Sequence, residues 1–137
     1  MHKTGLVVNN EFSFLGVSPN GLVCDGGQSG LIEIKCPYTA RNMSVDEACQ
    51  SIPGFYLQKG LNDNISLSET QNYYAQVQGQ LMVTGCKFCD FIVLLTRTFM
   101  FTEYYLTLTL WGKCLNACLN FTETMLHHTL RKLTVCK

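Results

Sequence analysis

Residues 32–36, Ile-Glu-Ile-Lys-Cys, alternate apolar and charged positions. In a strand, successive side chains point to opposite faces, so Glu33 and Lys35 share one face while Ile32, Ile34 and Cys36 share the other. Upstream, residues 5–8 read as a short strand, Asn9-Asn10 as a turn, and residues 12–17 as a second strand. Pro19-Asn20-Gly21 bends the chain, because proline lacks a donor and Asn-Gly tolerates positive φ. Residues 22–24 continue as strand, and residues 25–30 read as a flexible hairpin loop into the alternating stretch. The first third is therefore expected to be an antiparallel meander. Pro37 ends it.

Ser44 and Glu47 have the spacing of a capping box, which predicts a short helix through Cys49 that stops near Pro53. Residues 55–58 and 65–67 read as the arms of a small hairpin, with 60–64 as its turn. The clearest helix covers residues 72–84, with Gly85 as its C-cap. At 100° per residue, Tyr73, Gln76, Val77 and Gln80 form one face of it, and Tyr74, Gln78 and Leu81 another. Residues 88–96 are nearly all apolar, as in a central strand covered on both faces. Residues 102–109 are a further β-rich run. Trp111, Leu115, Cys118, Thr122, Met125, Leu126, Thr129 and Leu133 then follow helical spacing, predicting an amphipathic closing helix.

Length and composition narrow the class. A chain of 137 residues with 47% hydrophobic and 15% charged positions is expected to form one globular domain, residues 1–137, and not a disordered segment. Ten basic and ten acidic residues cancel, so any nucleic acid would have to be held by a local patch. No stretch is apolar for long enough to span a bilayer, so no membrane partner is expected. The N-terminus lacks the hydrophobic segment of a signal peptide, which makes the expected compartment intracellular and the eight cysteines reduced thiols.

Three constellations could carry chemistry. A carboxylate and an ammonium side by side, as at Glu33 and Lys35, can hold a metal ion and position a water. They are also the wet side of an ordinary strand, and alternation alone leaves both readings open. Gln76, Gln78 and Gln80 crowd an otherwise apolar helix, where buried amides need partners. Cys86-x-x-Cys89, with Cys114 and Cys118 downstream, has the count of a zinc site. Against zinc, Cys89 opens a core strand, and Cys114 and Cys118 fall on the closing helix's core-facing stripe. His127 and His128 are adjacent and on a helix would point apart.

The joint pattern decides more than any part. SPNGLV, then GLIEIKCPY, then YYAQVQGQLMVTG, then CDFIV resembles the YqaJ-type viral recombinase and phage lambda-type alkaline exonuclease family, of the PD-(D/E)XK nuclease fold. The resemblance runs from about residue 5 to 105. It implies an α/β (α+β) fold: a mixed, largely antiparallel sheet flanked by helices. It also implies a metal-dependent DNA nuclease, exonuclease-like, acting in recombination or repair. By that resemblance Glu33 is a metal ligand and catalytic residue, the Ile34 backbone carbonyl a further ligand, and Lys35 the catalytic lysine that orients the water. Gln76 and Tyr73 match the family's Tyr-x-x-Gln, with Gln76 catalytic and Tyr73 binding substrate. Ser18 falls in the substrate-binding loop, and Gln78 and Gln80 are assigned structural roles. The implied cofactor is Mg²⁺, with Mn²⁺ as a substitute, since a hard cation neutralises phosphate charge and lowers the pKa of a water. The implied partner is DNA, as linear duplex or ends, and by analogy alone the assembly is a trimeric ring.

Two departures qualify that expectation. The family usually has SPDG where this chain has Ser18-Pro19-Asn20-Gly21, so a neutral amide stands at the position of the main metal carboxylate. Weakened metal binding and reduced or absent cleavage are expected. Asp25, the nearest carboxylate, reads as a turn residue before it reads as a replacement ligand. Family members also carry helices upstream of the meander, so the domain is expected to be N-terminally truncated. The competing reading is a catalytically inactive derivative that binds DNA or protein, and a zinc-stabilised module is a third.

Overall fold

The structure is a computed structural model, and residues 2–107 are described. Its centre is a four-stranded sheet. Strands β3 (Gly21–Asp25) and β4 (Gln28–Lys35) form a hairpin, β4 lies parallel to β7 (Phe88–Leu94), and β7 pairs antiparallel with β8 (Phe99–Tyr105). Two short strands, β1 (Val7–Val8) and β2 (Gly16–Val17), make a separate ribbon. The connection from β4 to β7 carries helix α1 (Val45–Ser51), the hairpin of β5 (Leu57–Lys59) and β6 (Ile65–Leu67), and helix α2 (Asn72–Thr84). This is the mixed, largely antiparallel sheet with flanking helices that the sequence predicts.

Register places every side chain. Leu31, Cys89 and Tyr104 lie across from one another, as do Glu33, Phe91 and Thr102, and then Lys35, Val93 and Met100. These residues share the face under α2. Phe91, Leu31, Val93 and Cys89 there are fully buried and form the core together with Val77 and Leu81 of α2. The opposite face carries Ile32, Ile34, Asp90, Ile92, Phe101 and Glu103 in the alternate register positions. Phe99 and Phe101 remain 73% and 55% exposed among the described residues. The β7 run is therefore fully buried at Cys89, Phe91 and Val93 on the α2 face, while on the other face Phe88 is buried and Asp90 and Ile92 are half-buried.

Local chemistry explains the element boundaries. The Ser44 hydroxyl accepts from Glu47 N–H and the Glu47 carboxylate accepts from Ser44 N–H, completing the capping box that starts α1. Gly85 ends α2 in the left-handed region at φ 69°. The β3–β4 loop is shorter than expected. Gly26 and Gly27, with φ of 52° and 79°, close a two-residue turn, so β4 already begins at Gln28. Gly30 on β4 is required for a different reason: a Cβ there would lie 2.3 Å from the Phe88 ring.

Other boundaries move. Residues 12–15 are a turn and not strand, because Asn9 Oδ1 accepts the N–H groups of Glu11 and Phe12 and Leu15 N–H bonds to Phe12 C=O. β8 starts at Phe99, three residues before the predicted run, set by its pairing with Leu94. A 3₁₀ turn at Tyr38–Ala40, unanticipated in sequence, follows Pro37. The predicted closing helix, Cys114, Cys118, His127 and His128 lie outside the described residues.

Candidate active site

Strand β4 delivers Glu33 and Lys35 to the face beneath α2. Glu33 is 3% exposed, so the bland alternative, a solvated strand face, is excluded for this carboxylate. Three donors converge on it. Lys35 Nζ lies 2.7 Å from Glu33 Oε1, Gln76 Nε2 donates to the same oxygen at 2.9 Å, and Gln80 Nε2 donates to Oε2 at 3.0 Å. Lys35 also donates to Gln76 Oε1 at 3.1 Å, closing a triangle of carboxylate, ammonium and amide. Burying a carboxylate without such partners is prohibitive, and charge-assisted hydrogen bonds are the strongest available compensation.

Helical spacing assembles the other half. Tyr73, Gln76 and Gln80 sit at i, i+3 and i+7 on α2 and form one stripe over β4. The Tyr73 ring lies under Lys35 Nζ, 4.5 Å from the centroid, a cation–π contact that holds the ammonium beside Glu33. Tyr73 packs edge-on against Tyr56 at 4.7 Å. Burial pushes the Tyr56 phenol upward, and its hydroxyl has no partner among the described residues. The second stripe faces β8 instead: the Tyr74 ring meets Tyr104, and Gln78 Nε2 donates to Tyr105 C=O. Gln78 is thereby separated from the cluster, whereas Gln80 belongs to it. The signal in the sequence is the shared stripe, since Gln80 stands four residues after Gln76, but spacing does not say that the stripe meets a buried acid.

Asn20 closes the open end of the hairpin. The β3–β4 register stops at Gly21 opposite Ile32, and Pro19 has no N–H to extend it. The Asn20 side chain takes over, and its Oδ1 accepts from Ile34 N–H at 2.8 Å. A strand residue points its N–H and C=O to the same side, so the Ile34 carbonyl also faces Asn20. The hydrogen bond fixes which end of the amide is which. Oδ1 is turned to the backbone, and the remaining terminal atom is Nδ2, a donor that cannot ligate a cation. Ser18 is exposed and makes no hydrogen bond among the described residues. Asp25 lies at the far end of β3, paired with Gln28, about 13 Å along the strand from Gly21.

The donor set can be tested against a hard divalent cation. The Glu33 carboxylate and the Ile34 carbonyl fit, since both are oxygen donors of the type Mg²⁺ takes. Asn20 in its hydrogen-bonded orientation fits only through the remaining lone pair of Oδ1. Among the described residues no three of His, Cys, Asp and Glu converge as a metal-binding group. Cys89 lies in the core on the same sheet face as Glu33. Burial, reinforced by the charges of Glu33, Asp90 and Cys86, pushes its thiol up to about 12, so it stays protonated.

The YqaJ-like viral recombinase domain model matches residues 1–87 of the chain. Solved structures share the fold, among them two of LHK-Exo. LHK-Exo in complex with dAMP superposes with a TM-score of 0.67, and an alkaline exonuclease (LHK-Exo) from Laribacter hongkongensis with 0.65. Each is 25% identical to this chain and covers 99% of it. The chain spans 63% of the length of each. No curated protein matches the chain.

Proposed function

Because the chain belongs to the YqaJ-like viral recombinase domain family, we propose that it is the core of a DNA nuclease acting in recombination or repair, dependent on Mg²⁺ or Mn²⁺. The observation that carries this reading is the buried Glu33 carboxylate, met by Lys35 and Gln76 on the strand and helix that the family motif would use. LHK-Exo forms a complex with dAMP, which supports a nucleotide as a ligand of this chain.

In this reading Glu33 and the Ile34 carbonyl would hold the cation. When bound, the cation would neutralise phosphate charge and make a water more acidic. Lys35, steadied by the Tyr73 ring, donates to a phosphate oxygen or holds the water in line. Gln76 bridges Lys35 and Glu33, tying the paired ammonium and carboxylate into one hydrogen-bonded group. Ser18, exposed just ahead of Asn20, would meet the DNA backbone in this reading. Linear duplex DNA is the proposed substrate, and a trimeric ring the assembly by analogy with the exonuclease relatives.

Asn20 supports a second reading, a DNA-binding or protein-interaction domain that does not cut. An aspartate at this position could accept from Ile34 N–H with one oxygen and offer the other to a cation. Asparagine offers NH₂ there, which removes one negative charge and turns a donor toward the metal. We expect weak metal binding and slow or absent cleavage. The deciding experiment measures nucleotide release from linear duplex DNA with Mg²⁺ or Mn²⁺. Release that is lost in Lys35→Ala and increased in Asn20→Asp supports the nuclease. DNA binding without release, in both the parent and Asn20→Asp, replaces it with the second reading.

A further inference from the structure

Gln80 is 2% exposed and makes one side-chain hydrogen bond, from Nε2 to Glu33 Oε2. Its own Oε1 is buried without a partner among the described residues. A buried carbonyl left without a donor costs stability, and an apolar side chain of similar length would avoid that loss. What glutamine uniquely provides at this position is therefore the N–H aimed at Glu33.

The three donors on Glu33 are not equivalent. Lys35 and Gln76 both converge on Oε1, they are bonded to each other, and both are partly open to solvent. Gln80 alone holds Oε2, from inside the core. Any ligand approaching from solvent meets Oε1 and competes with Lys35 and Gln76. The Gln80 bond lies on the far oxygen and can persist.

We infer that Gln80 is a positioning residue: it anchors Oε2 of Glu33 against α2 and so presents Oε1 alone to Lys35, Gln76 and a cation. The part concerning the cation rests on the reading of Glu33 as a metal ligand. The anchoring part does not.

The test uses the full chain and two measurements. The first is a double-mutant cycle in urea with chelator present, comparing the parent, Gln80→Met, Glu33→Met and the double variant. Anchoring predicts that Gln80→Met destabilises the parent and has no such effect once Glu33 is methionine. Additive effects overturn the inference. The second is calorimetric titration with Mn²⁺. Loss of a residue that orients a ligand is expected to weaken binding about tenfold in Gln80→Met. Parent-like affinity in Gln80→Met, with binding abolished in Glu33→Met, overturns the presentation of Oε1. Equal affinity in Glu33→Met and the parent, or no binding by the parent, instead removes the metal reading of Glu33, and the urea cycle still decides the anchoring. If Gln80→Met does not fold, Gln80→Asn, which keeps the amide but shortens its reach, takes its place.

Discussion

The two faces of the central sheet each carry a carboxylate, buried on one face and half-buried on the other, and they do so under opposite conditions. On the helix-covered face Glu33 meets an ammonium and two amides. On the other face Asp90, half-buried between Ile32 and Glu103, has acids for neighbours. Burial raises the Asp90 carboxyl, and the charges of Glu103 and Asp25 raise it further. One strand register, with its alternation, thus produces a site prepared for negative charge and, one residue pair away, a place where negative charge is unwelcome. The difference lies in what packs above. α2 brings donors at helical spacing to Glu33, whereas the charges that act on Asp90 are those of the strand acids Glu103 and Asp25.

Several measurements would break or sharpen this contrast. The largest effect is expected from packing. Phe91→Ala, on the covered face with no exposure, should cost about 4 kcal/mol in urea unfolding. Phe101→Ala, 55% exposed on the other face, should cost less than about 1 kcal/mol. Equal losses would mean that both faces are equally buried. Next, Lys35→Ala leaves a buried carboxylate with only amide donors and should cost about 3 kcal/mol. A neutral result would show that Gln76 and Gln80 suffice for Glu33.

Asp90→Asn should act in the opposite direction. A carboxyl raised by folding binds its proton more tightly in the native state. Its stabilising contribution is complete below the unfolded value and is lost as pH rises through the folded one. The substitution should therefore raise the unfolding midpoint by about 2 °C near pH 7. It should do nothing near pH 3, below the ordinary aspartate value of about 3.9. A drop at neutral pH would show that the Asp90 charge is satisfied. The smallest perturbation is chemical labelling under native conditions. Exposed Cys24 and Cys36 should react with iodoacetamide readily, and buried Cys89 only as fast as the protein unfolds. Rapid Cys89 labelling would indicate that the core beside Glu33 opens locally.

Much of this arrangement was legible in sequence where one local rule dominated. The 72–84 helix, its Gly85 cap, the Ser44–Glu47 box and the shared face of Glu33 and Lys35 follow from spacing and turn chemistry alone. Which face of β4 would be covered was not legible. Period-two alternation states that two sets exist, not which one α2 will lie on, and charged residues usually take the wet side. The buried placement of Glu33 depends on donors from a helix some forty residues away, a long-range fact. Residues 12–15 were misread because apolar alternation there competes with Asn9, whose side chain captures two backbone N–H groups and makes a turn. Gln80 was passed over because a glutamine looks alike whether it faces water or a buried acid.

The two-glycine turn between β3 and β4 bears on how this site can change over generations. Only Gly26 and Gly27 separate the paired strands, so a codon inserted there would either bulge the hairpin or slip its register, carrying Glu33 and Lys35 toward the wrong face. A substitution at Asn20 disturbs no register, and asparagine and aspartate codons differ by a single base. Mutation can therefore reset the charge at the mouth of the site in one step, while the hairpin that aligns it tolerates no change in length.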